Sequence, residues 1–158
     1  MAHVALPEGL MSLAYRTLLS DFGHLTGLDP EQLLETQALS FDDEPITLTF
    51  VGTEEAGEIL LVTSLGTPSP EAGTGVYRRL LEANHLGNET AGMNLGLQAA
   101  SGLVTLCGRI PLAQLSAQDL HSSIEIFSAV AAHWRLFVQS PASEGDAPVS
   151  APVHSSFA

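Results

Sequence analysis

The chain has 158 residues, of which 45% are hydrophobic and 15% charged, so one domain with a sizeable core is expected. Its formal net charge of −13 disfavours binding to nucleic acid or to an anionic membrane surface, because both require clustered cations. The same acidity suits a basic or polar partner, and it equally suits a protein that charge merely keeps soluble.

The single cysteine, Cys107, has no second cysteine in the chain with which to form a disulfide. A reducing compartment such as the cytoplasm is therefore expected. The N-terminal residues do not combine a basic stretch with a long apolar core, so we expect no signal peptide. No run of about 18 apolar residues occurs, and no membrane span is expected.

Periodicity in the first half of the chain predicts one long helix, a short helical turn and three strands. Apolar residues recur at helical spacing over residues 9–26, and Asp29 with Pro30 can cap a short turn through Leu34. The strand-like runs follow at residues 36–41, 46–51 and 58–65. Their connections are too short for parallel crossovers, which predicts an antiparallel meander.

The second half predicts a helix from about 71 or 74 to 86, strands at 91–98 and 103–110, and a helix over 116–138. Ser116, with an acid three residues later, favours a capped start for that last helix. The order α-β-β-β-α-β-β-α indicates an α+β fold with helices packed on an antiparallel sheet.

From about residue 140 the chain is aperiodic and rich in Ser, Pro and Ala, as is typical of a disordered tail. We therefore expect a folded domain over residues 1–139 and a tail over 140–158, to which the sequence assigns no role.

Residues that could carry chemistry are few, and no catalytic, cofactor or metal site is expected. His121 and Glu125 are four apart on a helix, which favours a surface ion pair over a metal site. Cys107 lies in a strand and is expected to be a buried structural thiol. The turn Gly73-Thr-Gly75 lacks the lysine of a phosphate loop. A small enzyme or ligand-binding domain that uses His85, Cys107 or this turn remains an alternative.

An excess of apolar residues on the predicted sheet points instead to a binding protein. The run at 46–51 alternates apolar with polar side chains, yet Val51, Leu60 and Val62 add apolar residues to the second face. The chain's own helices can cover one face of the sheet. The second face then needs a partner or a dimer mate.

Several phrases resemble the class I type III secretion chaperones, the CesT or Tir-chaperone family. The most specific is Leu-Leu-Glu-Ala-Asn at 80–84, followed by Gly-x-x-Leu-Gly-Leu at 92–97. Further matching segments are residues 15–23, 38–43, 46–50, 104–106 and 109–112. The resemblance covers about residues 10–138 and leaves out the tail.

The resemblance implies a bacterial cytoplasmic homodimer without ATPase activity. Such a protein binds the N-terminal segment of a secreted effector and keeps it soluble and competent for secretion. The segment wraps the dimer in extended form and adds a strand or helix to apolar patches. A regulatory protein of the same fold that sequesters a secretion regulator is the alternative.

The resemblance also assigns site residues. Those expected to bind the partner lie on the first helix and the meander: Leu19, Phe22, Phe41, Leu48, Phe50, Ile59 and Leu61. Those expected at the dimer interface lie on the second long helix and the late strands: Leu80, Leu81, Asn84, Leu95, Val104 and Leu106. Alternation along a strand does not say which face is exposed.

Overall fold

The computed structural model describes residues 12–53 and 56–140. The helices are α1 (Leu13–Thr26), α2 (Pro30–Thr36), α3 (Gly73–Asn84) and α4 (Ala117–Gln139). The strands are β1 (Ala38–Phe41), β2 (Glu44–Gly52), β3 (Gly57–Gly66), β4 (Asn94–Gln98) and β5 (Leu103–Pro111). The predicted α+β order is confirmed, and α2 is the predicted short turn extended to a helix.

The strands form one five-stranded antiparallel sheet in the order β1-β2-β3-β5-β4. The first hairpin turns through Asp42 and Asp43, whose φ angles are 48° and 65°. Positive φ at both central residues is the geometry of a type I′ turn, which matches the twist of the strands that it joins. The meander predicted from the short connections is thereby confirmed.

Helices α1 and α4 pack together against one face of this sheet. The core between them contains large side chains that are at most 1% exposed: Trp134, Tyr15, Phe22, Phe127, Leu19, Ile46, Leu48, Ile59 and Leu61. At Gly108 of β5, a Cβ atom would lie 3.2 Å from the Phe127 ring. The glycine therefore allows α4 to lie close against the sheet.

Local capping fixes where three helices begin. Ser12 accepts a hydrogen bond from the backbone of Tyr15 at the start of α1, and Asp29 accepts from the backbone of the first turn of α2. Ser116 and Asp119 form the complete capping box of α4, as their spacing predicts. These side chains satisfy backbone N–H groups that a helix start otherwise leaves unpaired.

A buried ion pair anchors α4 to the sheet. Arg135 of α4 donates to the carboxylate of Glu44 at the start of β2, and also to the backbone oxygen of Ser64 in β3. Glu44 is only 6% exposed, and its Oε2 atom has no hydrogen-bond partner among the described residues. Removing the arginine would leave a buried, uncompensated carboxylate, which is a costly arrangement.

Some predicted boundaries are wrong by a few residues. Strand β4 begins at Asn94 rather than at 91, because Ala91 and Gly92 have φ angles of 51° and 79° and belong to a turn. Helix α3 ends at Asn84, two residues earlier than expected. The predicted helix residues 9–11 and all tail residues after Ser140 lie outside the described residues.

Candidate partner-binding surfaces

The face of the sheet opposite α1 and α4, here called the open face, is lined by small polar and aliphatic side chains. Along β3 the exposure alternates, so that Ile59 and Leu61 are buried while Leu60 and Val62 are half-buried. The pairing aligns Thr47 and Cys107 on either side of Val62. The apolar residues expected on the second face therefore lie on a surface that the protein's own core does not absorb.

Charges on the open face cancel each other. Arg109 of β5 donates to Glu58 of β3 over 3.0 Å, and both side chains are more than a third exposed. Such an exposed pair contributes little to stability, but it leaves the strands of this face without net charge. An apolar or neutral segment could lie across the face without burying an unpaired charge.

A second exposed apolar surface, here called the α3 patch, comprises Tyr77, Leu81, Leu86 and Leu97. These side chains are 36%, 71%, 79% and 51% exposed. Tyr77 and Leu81 lie four residues apart on one side of α3, while Val76, Leu80 and Ala83 are buried. Leu86 lies in the turn that follows α3, and Leu97 lies on β4, the strand that Asn84 links to α3. Exposed apolar side chains on connected elements are typical of an interaction surface.

The side chain of Asn84 fixes α3 to β4. Its amide nitrogen donates to the backbone oxygen of Leu95 over 2.9 Å, and its oxygen accepts from the backbone nitrogen of Leu95 over 2.8 Å. Leu95 thus has both outward-facing backbone groups satisfied by one side chain.

The segment between α3 and β4 is held against α4. The indole of Trp134 donates to the backbone oxygen of Glu89 over 3.3 Å, and Arg79 lies 5.4 Å from the Trp134 ring centroid. Arg79 also forms an ion pair with Glu89. The hydrogen bond from Arg79 holds the pKa of Glu89 below its usual range.

The structure places most of the expected partner-binding residues in the core. Leu19, Phe22, Leu48, Ile59 and Leu61 are each at most 1% exposed, because the helices cover that face of the sheet rather than the other. They have no surface to offer a partner while the chain is folded as described.

The two remaining expected partner-binding residues are half-buried. Phe41 packs edge-on against His121 at a centroid distance of 5.6 Å. Phe50 packs against Tyr15 at 5.6 Å. Both can contact a partner at the margin of the core, and their role in binding stays a prediction.

The expected dimer residues divide in the same way. Leu80, Leu95, Val104 and Leu106 are at most 8% exposed and pack inside the chain. Asn84 is occupied by Leu95, and Leu81 alone is prominently exposed. Tyr77, Leu86 and Leu97 are exposed too but were not among the expected interface residues, although the four-residue spacing of Tyr77 and Leu81 indicated a shared helix face.

The residues considered for chemistry are not brought together. Among the described residues, no three His, Cys, Asp or Glu side chains are grouped closely enough to hold a metal ion. Cys107 is half-buried on the open face rather than fully buried, and His85 is exposed after the end of α3. His121 and Glu125 form the expected surface pair, with 3.8 Å between Nδ1 and Oε2.

The profile of the Tir chaperone protein (CesT) family matches residues 17–135. Of the helices in the described ranges, none has both the length and the apolarity needed to cross a bilayer. A comparison with curated protein sequences finds no match.

Solved structures with the same fold include the HopA1–SchA chaperone–effector complex, at 26% identity and a TM-score of 0.57, covering 80% of this chain and 94% of that one. The ExsC–ExsE complex is similar at 24% identity and a TM-score of 0.62, covering 82% and 98%. The ExoT–SpcS complex from Pseudomonas aeruginosa is similar at 21% identity and a TM-score of 0.58, covering 78% and 98%. The last two likenesses establish the shared fold alone.

Proposed function

Because the chain belongs to the Tir chaperone protein (CesT) family, we propose that it is a type III secretion chaperone. It binds the N-terminal segment of a secreted effector and keeps it soluble and competent for secretion, without hydrolysing ATP. The observation that carries this proposal is the family match over residues 17–135. The 26% identity with a chain of the HopA1–SchA chaperone–effector complex supports it.

The open face suits this work. An effector segment held in extended form needs apolar surface on which its alternate side chains can pack. That contact keeps the segment from folding on itself. Leu60 and Val62 supply that surface, and the paired charges of Arg109 and Glu58 leave it neutral. Half-buried Phe41 and Phe50 can extend the contact at the margin of the core.

A homodimer is part of the proposal. Leu81 and Leu86 of the α3 patch are the most exposed apolar side chains of that region. A twofold interface uses the same patch on both subunits, so the dimer buries these leucines of both subunits. We place the complex in the bacterial cytoplasm, where a half-buried thiol such as Cys107 stays reduced.

Affinity capture from the native cytoplasm under secretion-inducing conditions tests the function. The full chain should retain a secreted protein, identified by mass spectrometry, through that protein's N-terminal segment. Leu60→Asp should lose this protein while remaining folded, because it places a charge on the open face. Leu136→Asp, which places the same charge on the exposed side of α4 and off the open face, is the matched control and should retain it.

Two results would contradict the proposal. One is the absence of any secreted protein from the wild-type capture. The other is retention that is equal in Leu60→Asp and Leu136→Asp. Recovery of a cytoplasmic regulator instead of a secreted protein would favour the alternative, a regulatory protein of the same fold.

A further inference from the structure

Both outer edges of the sheet are partly closed by the protein's own side chains. On β1, the Thr36 hydroxyl lies 3.4 Å from the backbone nitrogen and 3.3 Å from the backbone oxygen of Ala38. On β4, the Asn84 amide pairs with the backbone of Leu95. Each side chain takes hydrogen bonds that a sixth strand would otherwise make, so strand addition is obstructed at both positions.

The end of β5 is an exception. Strand β4 pairs with β5 only over residues 103–107, and β5 continues to Pro111. Leu95 directs its backbone groups away from β5, so its neighbours bond to Thr105 and Cys107. Hydrogen-bonding direction alternates along a strand. The backbone N–H and C=O of Arg109 therefore face the β4 side of the strand, beyond the point where β4 begins at Asn94 opposite Cys107.

A cavity of about 200 Å³ lies directly beside this free edge. Apolar side chains from four parts of the fold line it: Leu61, Met93, Ile110, Ile126 and Phe127. Gly108 contributes no side chain, and a Cβ there would lie 3.2 Å from the Phe127 ring and 3.6 Å from Met93. An apolar cavity of about 150 Å³ admits a benzene ring, so this one has room for a leucine or phenylalanine side chain.

The charge of the site selects its occupant. Arg109 is the one charged residue among those lining the cavity, and its guanidinium is neutralised by Glu58 over 3.0 Å. A neutral, apolar side chain therefore matches the lining, whereas a charged one would be buried unpaired. Among the described residues, no partner takes the backbone groups of Arg109 on that side, and such groups call for a main chain in extended form rather than a small apolar molecule.

We propose that residues 109–111 and the adjoining cavity bind an extended segment of the secreted client, with one large apolar side chain of that segment inserted between β5 and α4. The proposal rests on the proposed function for the origin of the segment. A second copy of this chain is a poorer occupant, because the side chains of Thr36 and Asn84 obstruct its outer strand edges and the end of β5 that it could still offer is only residues 109–111.

Paired variants separate the backbone contact from the side-chain contact. Arg109→Pro removes the outward N–H and also the ion pair with Glu58, whereas Arg109→Ala removes the ion pair alone. Ile126→Asp places a charge at the cavity, where Ile126 is 54% exposed. Leu136→Asp makes the same change at a position on α4 that is 72% exposed and lies outside the lining.

The probes are fluorescein-labelled 12-residue peptides of threonine with a central leucine, phenylalanine or aspartate. Fluorescence anisotropy should show binding of the leucine and phenylalanine peptides to the full chain, and no binding of the aspartate peptide. Arg109→Pro should weaken binding about tenfold relative to Arg109→Ala, as expected for one lost hydrogen bond. Ile126→Asp should weaken it similarly relative to Leu136→Asp. Circular dichroism checks that all four variants are folded.

Three outcomes with the purified chain would overturn the proposal. The first is equal binding by the members of each pair. The second is an NMR titration in which the peptide shifts the backbone amide signals of the outer edge of β1 instead of those around Arg109. The third is lost self-association without lost peptide binding, which would assign the cavity to a second copy. If the Arg109→Pro and Ile126→Asp chains still capture the secreted protein as the wild type does, this site is refuted while the chaperone function stands.

Discussion

Leu81→Asp should weaken dimerisation strongly while leaving the subunit folded. Leu81 is 71% exposed in the single chain. Full burial of a leucine is worth about 1.5–3 kcal/mol, so the remaining burial is worth about 1–2 kcal/mol. A twofold interface loses this contribution twice, about 2–4 kcal/mol for each dimer. The dimer dissociation constant should therefore rise by roughly 30- to 1,000-fold.

Sedimentation velocity over a range of concentrations measures this dissociation constant, and urea unfolding measures the stability of the subunit. Leu136→Asp is the matched control, because Leu136 is 72% exposed on α4 and lies outside the α3 patch. It should keep the wild-type dissociation constant. Leu80→Ala should instead lower the free energy of unfolding by about 2–4 kcal/mol, because Leu80 is buried in the chain.

The reasoning would be refuted if Leu81→Asp dimerised as the wild type does, or if Leu136→Asp lost dimerisation equally. A wild-type chain that stayed monomeric at high concentration would also refute it. In that case the α3 patch would have to bind something other than a second copy.

Burial raises the pKa of Tyr15 above its usual range, so the stability that its neutral phenol contributes is complete below about pH 10 and is lost as pH rises further. The Tyr77→Phe variant leaves Tyr15 as the one tyrosine of the chain. As pH is raised, the phenolate absorbance of Tyr15 should appear together with loss of the circular dichroism signal, and phenolate in a folded chain would contradict this. Hydrogen bonds, first from the N-cap hydroxyl of α4 and then from its backbone N–H, hold the pKa of Asp119 below its usual range. The stabilisation should be present above about pH 4 and lost as pH falls through the lower pKa of the folded state, which carboxyl NMR can follow, and Asp119→Asn should remove this dependence. Arg135→Met should lower the free energy of unfolding in urea by about 3 kcal/mol, because it leaves the buried carboxylate of Glu44 without its cationic partner. Adding Glu44→Gln should recover part of the loss, and no recovery would contradict the ion-pair account.

The order of elements was predictable because the signals that determine it are local. The capping box at Ser116, the Asp29-Pro30 start and the alternation through residues 46–51 each depend on neighbours within a few positions. The start of β4 was not predictable in this way. Gly92 and Met93 fit a strand by composition, but positive φ at Ala91 and Gly92 turns the chain before the ladder begins.

The exposed face of the sheet was not predictable, for a different reason. On β3 both sets of alternating residues are aliphatic, with Ile59 and Leu61 on one side and Leu60 and Val62 on the other. Alternation sorts the residues into these two sets, but hydrophobicity does not choose between them. The choice depends on which side α1 and α4 cross the sheet, and that is decided by packing over the whole chain. The expected partner-binding residues accordingly fell on the covered side.

The two hydrogen bonds between Asn84 and Leu95 also fix the rotation of α3 about its own axis. Each residue advances a helix by about 100°, so Leu81 lies about 60° and Tyr77 about 20° from Asn84 around the axis. A turn of α3 by one residue would withdraw the amide and leave both backbone groups of Leu95 unpaired at the edge of β4. The direction in which Leu81 points is therefore fixed relative to β4. A second subunit meeting this surface would find helix and strand in one fixed orientation.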